Sequence, residues 1–188
     1  EREQMSEEKI LQVFKELNED VRDLEETVIP ELNSVDTAYL YLHEPTKMNK
    51  LLQILFSLQS IHSLVLGLHP ESAYSEKKVS SEIYDRIVSI AEENSKFIDA
   101  TLDVYQYLMS QASMPTLINK EFCYYLVNRP IGELFSFKGL LLRVVSNCKK
   151  LIVFLERIEA FEYVKGILAT KRMEGIGAVF KIPKPPEE

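Results

Sequence analysis

Six apolar side chains near the start of the protein form a set that recurs at helical spacing. Consecutive members lie 4, 3, 4, 3 and 4 positions apart, and they are Ile10, Phe14, Leu17, Val21, Leu24 and Val28. This heptad spacing places all six on one stripe of a helix, which we call the seam. Ser6 is a candidate N-cap, and Pro30 predicts the end of the helix. A stripe this narrow is typical of a helix that pairs with one other helix, as in a coiled coil.

Two segments bounded by prolines follow. Residues 33–44 begin with Asn and Ser, which favour helix N-caps, and they stop before Pro45, so they predict a short helix. Residues 51–70 contain no charged residue and carry large apolar side chains on nearly every side of a helix. This pattern predicts a central core helix around residues 51–68. A membrane span is the competing interpretation, but several polar side chains in the middle of the segment disfavour it.

Three further helices are predicted in the second half of the chain. Residues 83–112 carry two adjacent apolar stripes, which is typical of a helix that contacts several neighbours in a bundle. Residues 116–128 form a shorter helix that closes at Arg129, because a residue that precedes proline is pushed out of the helical region. Residues 131–172 are predicted as one long helix with a second heptad stripe. The fold class expected is therefore all-α, a bundle of five or six helices.

The composition changes after this last helix. Residues 173–188 contain two Gly and three Pro, so they predict an extended tail attached to a single helical-bundle domain of residues 1–172. Extended proline-containing segments are low-entropy ligands for grooves on other proteins. A linker, or a strap folded back on the bundle, is the alternative. The candidate partner-binding residues of the tail are Phe180, Ile182, Pro183, Pro185 and Pro186.

Length and cysteine content limit the class of protein. The chain has 188 residues of which 46% are hydrophobic, enough for one core without disulfide or metal support. Two cysteines are too few for a disulfide scaffold, and the charged first nine residues do not resemble a signal peptide. We therefore expect a cytoplasmic protein.

Charge is distributed unevenly along the chain. The formal net charge is -7, with 4 basic and 12 acidic groups in residues 1–36 but 12 basic and 8 acidic groups in residues 120–188. This predicts either that the acidic first helix lies beside the basic last one, or that one end is a partner surface. The basic residues are scattered, so we expect no nucleic-acid partner.

The sequence carries little recognisable chemistry. It has no motif of a nucleophilic enzyme, phosphate-binding loop or metal site, so we expect no enzyme activity, no cofactor and no bound metal. His62 and His69 are two helical turns apart, too far to bind one ion together. A single His on an apolar helix is typically a hydrogen-bonded core residue. Two carboxylate pairs at four-residue spacing are interpreted as solvated helix faces: Glu19 with Asp23, and Asp99 with Asp103.

The function that these patterns favour is a non-enzymatic protein–protein interaction module, a scaffold or adaptor that uses helix seams and the tail. The alternative is a helical binding protein for an apolar small ligand or cofactor, held in a cavity near His62 and the tyrosines. The seam could pair within the chain, with the helix predicted at 131–172, or with a second copy to give a homodimer.

Overall fold

A computed structural model of the protein describes residues 7–67, 81–112, 119–130 and 135–156. Helices account for nearly all of these residues, and no strand occurs among them. The predicted all-α fold class is therefore confirmed. The tail, with Phe180 and its neighbours, lies outside the described residues, as does the domain boundary predicted at residue 172.

Along the chain, the described helices form one long rod, then two helices linked to it by short connections, and then three further helices. Their bounds are α1 Glu7–Asp23, a π-helical turn Leu24–Val28, α2 Ile29–Glu31, α3 Val35–Leu42, α4 Pro45–Leu66, α5 Ser81–Ala112, α6 Lys120–Asn128 and α7 Phe137–Leu155. If α1, the π turn and α2 are counted as one continuous rod, the described residues contain six helices, in agreement with the predicted five or six.

Side-chain caps decide where three of these helices begin. Ser34 accepts a hydrogen bond from the Thr37 N–H and starts α3. Asn119 accepts from two N–H groups of the first turn of α6, and Ser136 Oγ accepts from the Gly139 N–H in α7 at 2.9 Å. Starts at residues 116 and 131 were therefore predicted too early, because an extended N-cap residue precedes each helix.

The rod continues through the proline that was predicted to end it. The Ile29 N–H donates to the Leu24 carbonyl, five residues earlier, which is the bond of a π turn and accommodates one extra residue. Pro30 then stands in the first turn of α2, directly after the π turn. The prediction of an end at Pro30 was wrong by only one residue, since the rod ends at Glu31.

The bundle is assembled around α4, α5 and α7. Helix α5 packs against both α4 and α7, α1 packs against α4 and α7, and α3 packs against α6. The Tyr105 hydroxyl donates to the Met48 carbonyl at 2.8 Å, which fixes α5 to the start of α4. Lys149 of α7 forms an ion pair with Glu25 of the π turn, so the acidic beginning of the chain lies beside a basic helix, as expected.

The seam faces the interior of the chain. Five of its six side chains are buried, at Phe14, Leu17, Val21, Leu24 and Val28, while the side chain of Ile10 lies outside the described part. These residues belong to the main hydrophobic core, between α1 and its neighbours α4 and α7. The described seam is thus occupied within one chain, and a homodimer formed through it remains a prediction.

Helix α4 differs from the expectation for residues 51–68. It was predicted to be buried on nearly every side, yet Phe56 is 50% exposed and Leu64 is 44% exposed. Leu51, Leu55 and Leu58 are completely buried on the opposite side. The pattern was misleading because apolar residues surround this helix, whereas neighbours cover only one of its faces. None of the described helices combines the length and apolarity needed to cross a membrane.

Candidate functional site

The most unusual surface of the described chain is the outer face of α4. It consists of six exposed residues, which we call the α4 face: Gln53, Phe56, Gln59, Ser60, Ser63 and Leu64. Residues 51–66 of this helix include no charged side chain. Solvated helix faces normally carry charges opposite the apolar stripe, so an uncharged face with two large exposed apolar groups is atypical of a surface that only meets water.

One edge of the α4 face is formed by acidic residues of α1. The Ser57 hydroxyl donates to the Asp20 carboxylate at 2.5 Å, which joins this edge of α1 to α4. Asp20 is only 9% exposed, and the carboxylates of Glu16, Glu19 and Asp23 surround it. The edge therefore concentrates negative charge next to an uncharged strip.

The other edge of the α4 face is formed by α5. Gln59 Nε2 donates to Asp99 Oδ1 at 3.1 Å, and Asp103 stands one turn further along α5. Both carboxylates are exposed, as expected for a pair interpreted as a solvated face. Acidic groups thus flank the α4 face on both sides.

Burial of Asp20 has an electrostatic consequence. Desolvation, followed by repulsion from Glu16, Asp23 and Glu19, raises the pKa of the Asp20 carboxyl to about 6, although the hydrogen bond from Ser57 opposes the shift. Between pH about 4 and 6 the folded protein holds a proton that the unfolded chain has lost. The unfolding free energy therefore falls as the pH rises through this window. Above it, the full cost of burying the charged Asp20 carboxylate is present.

Asp20→Asn is consequently expected to stabilise the protein at pH 7.5 by about 1–2 kcal/mol, a value reduced for solvent screening of the group. The gain should shrink towards pH 4, where the wild-type carboxyl is already protonated. Thermal denaturation of both proteins at pH 4.5 and 7.5 measures this. The exposed Asp103→Asn is the control and should change little at either pH; a gain from Asp20→Asn that did not depend on pH would contradict the assignment.

His62 lies in the core, at the centre of a polar network. Its ring is completely buried, with Nδ1 2.6 Å from the Leu58 carbonyl and Nε2 2.8 Å from Asn94 Nδ2. Nδ1 therefore carries the proton, and Nε2 accepts from the amide. Asn94 also contacts the Val144 carbonyl at 3.4 Å and Cys148 Sγ at 3.3 Å, so the network connects α4, α5 and α7.

The chemistry of this network is that of a structural core. Burial lowers the pKa of His62 and raises the pKa of the Cys148 thiol to about 12, so both groups are neutral at physiological pH. Neither group is accessible to a substrate. The interpretation of His62 as a hydrogen-bonded core residue agrees with its position, whereas its partner Asn94, 32 residues away, was not recognised in the sequence.

The other sequence candidates are dispersed. A cavity with a volume of about 260 Å³ lies between the π turn and α4, and it is lined by Tyr41 but not by His62, beside which a ligand cavity was predicted. Asp23 also lines this cavity, while its pair partner Glu19 does not. Within the described ranges, no three His, Cys, Asp or Glu side chains are placed to hold a metal ion.

Comparison with protein-family models, curated proteins and solved structures finds no match to this chain. Its surfaces and cavities are therefore the basis on which a function can be proposed.

Proposed function

We propose that the protein is a non-enzymatic interaction module whose α4 face binds a basic amphipathic helix of a partner protein. The observation that supports this is the exposure of Phe56 and Leu64 on a face without charge, between two acidic edges. Cys123 and Cys148 are both buried and are not joined in a disulfide, which suits a reducing compartment such as the cytoplasm.

The composition of the α4 face resembles the centre of an interface. Interface centres are depleted of charged residues and contain aromatic and large apolar side chains within a polar surround. Phe56 and Leu64 lie eight residues apart in an uninterrupted α-helix, so they are separated by about 12 Å along α4 and by about 80° around it. An amphipathic helix that crosses α4 obliquely can contact both apolar anchors.

The edges of the α4 face select the charge of this partner. Glu16, Glu19 and Asp20 lie along one edge, and Asp99 and Asp103 along the other. Lys or Arg residues flanking the apolar stripe of a partner helix would face both rows. Such complementarity speeds association and disfavours acidic partners. The tail with Phe180 and Ile182 remains a second predicted contact, to a different partner groove.

A synthetic amphipathic helix of Leu and Lys, about 18 residues long, is the appropriate probe. We expect it to bind the full chain with micromolar affinity, measured by fluorescence anisotropy, and to bind less tightly as salt rises. Phe56→Asp and Leu64→Asp should each weaken binding about tenfold or more, because each places a charge in the contact. A peptide with Glu in place of Lys should not bind.

A matched control lies on another helix. Leu142 of α7 is 46% exposed, so Leu142→Asp introduces the same charge into an exposed apolar position away from the α4 face. It should leave peptide affinity unchanged. Absence of binding to the wild-type protein, or equal losses in the Leu142 and Phe56 variants, would refute the proposal.

A further inference from the structure

The cavity between the π turn and α4 has walls of opposite charge. Asp23, Thr27 and Glu31 line one wall, at intervals of four residues. In an uninterrupted α-helix, Glu31 would be rotated about 80° from Asp23. The extra residue of the π turn takes up most of this rotation and brings both carboxylates to one face. The turn that interrupts the rod therefore also forms this wall.

The opposite wall belongs to α4 and is basic. Lys47 and Lys50 line it, and both are exposed, so the cavity opens at the surface of the protein. Val28, Tyr41 and Ile54 complete the lining, and all three are buried. The interior is thus apolar, with polar groups on two facing sides.

The charged groups of the two walls are only partly paired. Lys47 Nζ lies 2.7 Å from Glu31 Oε1, but the buried Glu31 Oε2 has no hydrogen-bond partner. Among the described residues, no ion pair engages Asp23 or Lys50. A buried acceptor without a partner costs free energy unless water or a ligand satisfies it. The cavity thus offers an acceptor and a carboxylate on one wall and an ammonium group on the other.

We propose that this cavity binds a small zwitterion, a free aliphatic α-amino acid. The ligand's ammonium group donates to Asp23 and to Glu31 Oε2, and its carboxylate accepts from Lys50. Its side chain lies against Val28 and Ile54. The four charged lining residues sum to zero, so a ligand without net charge leaves no charge uncompensated in a partly apolar site.

The volume of the cavity limits the size of the ligand. About 260 Å³ corresponds to roughly nine water molecules at ~30 Å³ each. Leucine and isoleucine have about that many non-hydrogen atoms, whereas pockets that bind drug-sized ligands have volumes of about 300–1,000 Å³. A ligand this small is expected to bind with a Kd on the order of 1 mM or tighter.

Titration of the full chain with L-leucine, followed by calorimetry and by thermal denaturation, tests the site. Two analogues separate the charges: 4-methylpentanoate lacks the amine, and 3-methylbutylamine lacks the carboxylate. Each should bind about tenfold more weakly than leucine or worse, because each leaves one wall without its counter-charge. Failure of leucine to bind, or equal binding of either analogue, overturns the proposal.

Three variants then locate the binding. Asp23→Asn and Lys50→Met should each weaken leucine binding about tenfold, and Thr27→Phe, at an exposed lining position, should fill the cavity and abolish it. Lys96→Met on α5 is the control and should bind as the wild type does. If leucine binding survived all three changes in proteins that remain folded, it would lie elsewhere and the proposal would be wrong. Lys50→Met and Thr27→Phe leave both the α4 face and its acidic edges unchanged, so peptide binding by these two variants reports separately on the proposed interaction.

Discussion

Leu58→Asp is expected to unfold the protein. Leu58 is completely buried in α4, in the core that this helix shares with α1 and α5. A carboxylate at this position would lose its hydration without gaining a counter-ion, at a cost of several kcal/mol, whereas whole domains are stable by about 5–15 kcal/mol. The Leu58 carbonyl also accepts the hydrogen bond from His62, so displacement of this turn would disturb the polar network as well.

The matched control for this change lies two residues earlier in the same helix. Phe56 is half exposed, so Phe56→Asp adds the same charge where water can solvate it, and we expect a change of less than about 1 kcal/mol. Circular dichroism at increasing temperature compares the two variants directly. If Leu58→Asp melted like the parent, α4 would not contribute to the core on this side. If instead Phe56→Asp unfolded, the α4 face would be covered within the chain.

Removal of the amide from the buried network is the second large effect. Asn94→Leu keeps the branched shape of the side chain but leaves His62 Nε2 without a donor in a site that excludes water. We expect a loss of about 2–3 kcal/mol, the usual cost of an unsatisfied buried polar atom together with some imperfect packing. Chemical denaturation in urea measures the loss, provided that the slope of the transition stays the same.

A double-mutant cycle separates the hydrogen bond from packing. His62→Leu alone should also destabilise, because Asn94 Nδ2 then loses its shortest contact, 2.8 Å from His62 Nε2. The double variant with Leu at both positions should lose less unfolding free energy than the sum of the two single losses, by about 1 kcal/mol or more. The reason is that neither the imidazole nor the amide is then left buried without the other. Strict additivity would show that the two side chains do not interact.

Lowering the pH reduces the contribution of His62 to stability, whereas it relieves the cost of burying the Asp20 carboxylate. Since burial lowers the pKa of His62, the unfolded chain takes up a proton below pH about 6.5 before the folded protein does. The contribution of His62 to stability is therefore lost as the pH falls, whereas the Asp20 penalty is relieved. The effect of each group is therefore measured as the difference in unfolding free energy between its variant and the wild type at a single pH.

Local sequence patterns determined most of the helices. The heptad spacing of the seam predicted the first helix, the Asn and Ser at residues 33 and 34 together with Pro45 predicted the short helix, and two apolar stripes predicted the long helix that ends at Ala112. These features act within one or two turns of the chain, so they can be identified without knowledge of the neighbours. The opposite charges of the two ends predicted that the acidic start of the chain could lie beside the basic last helix, and Glu25 and Lys149 form an ion pair between these regions.

Only the tertiary structure decided which surfaces remain open. Residues 51–66 carry large apolar side chains on most sides of the helix, Phe56 and Leu64 among them, and it is the packing of α1 and α5 that leaves these two exposed. The His62–Asn94 pair and the cavity at the π turn join residues that are distant in sequence. Periodicity describes one helix at a time. The contacts between helices depend on how several faces pack together, and this packing placed both the α4 face and the cavity.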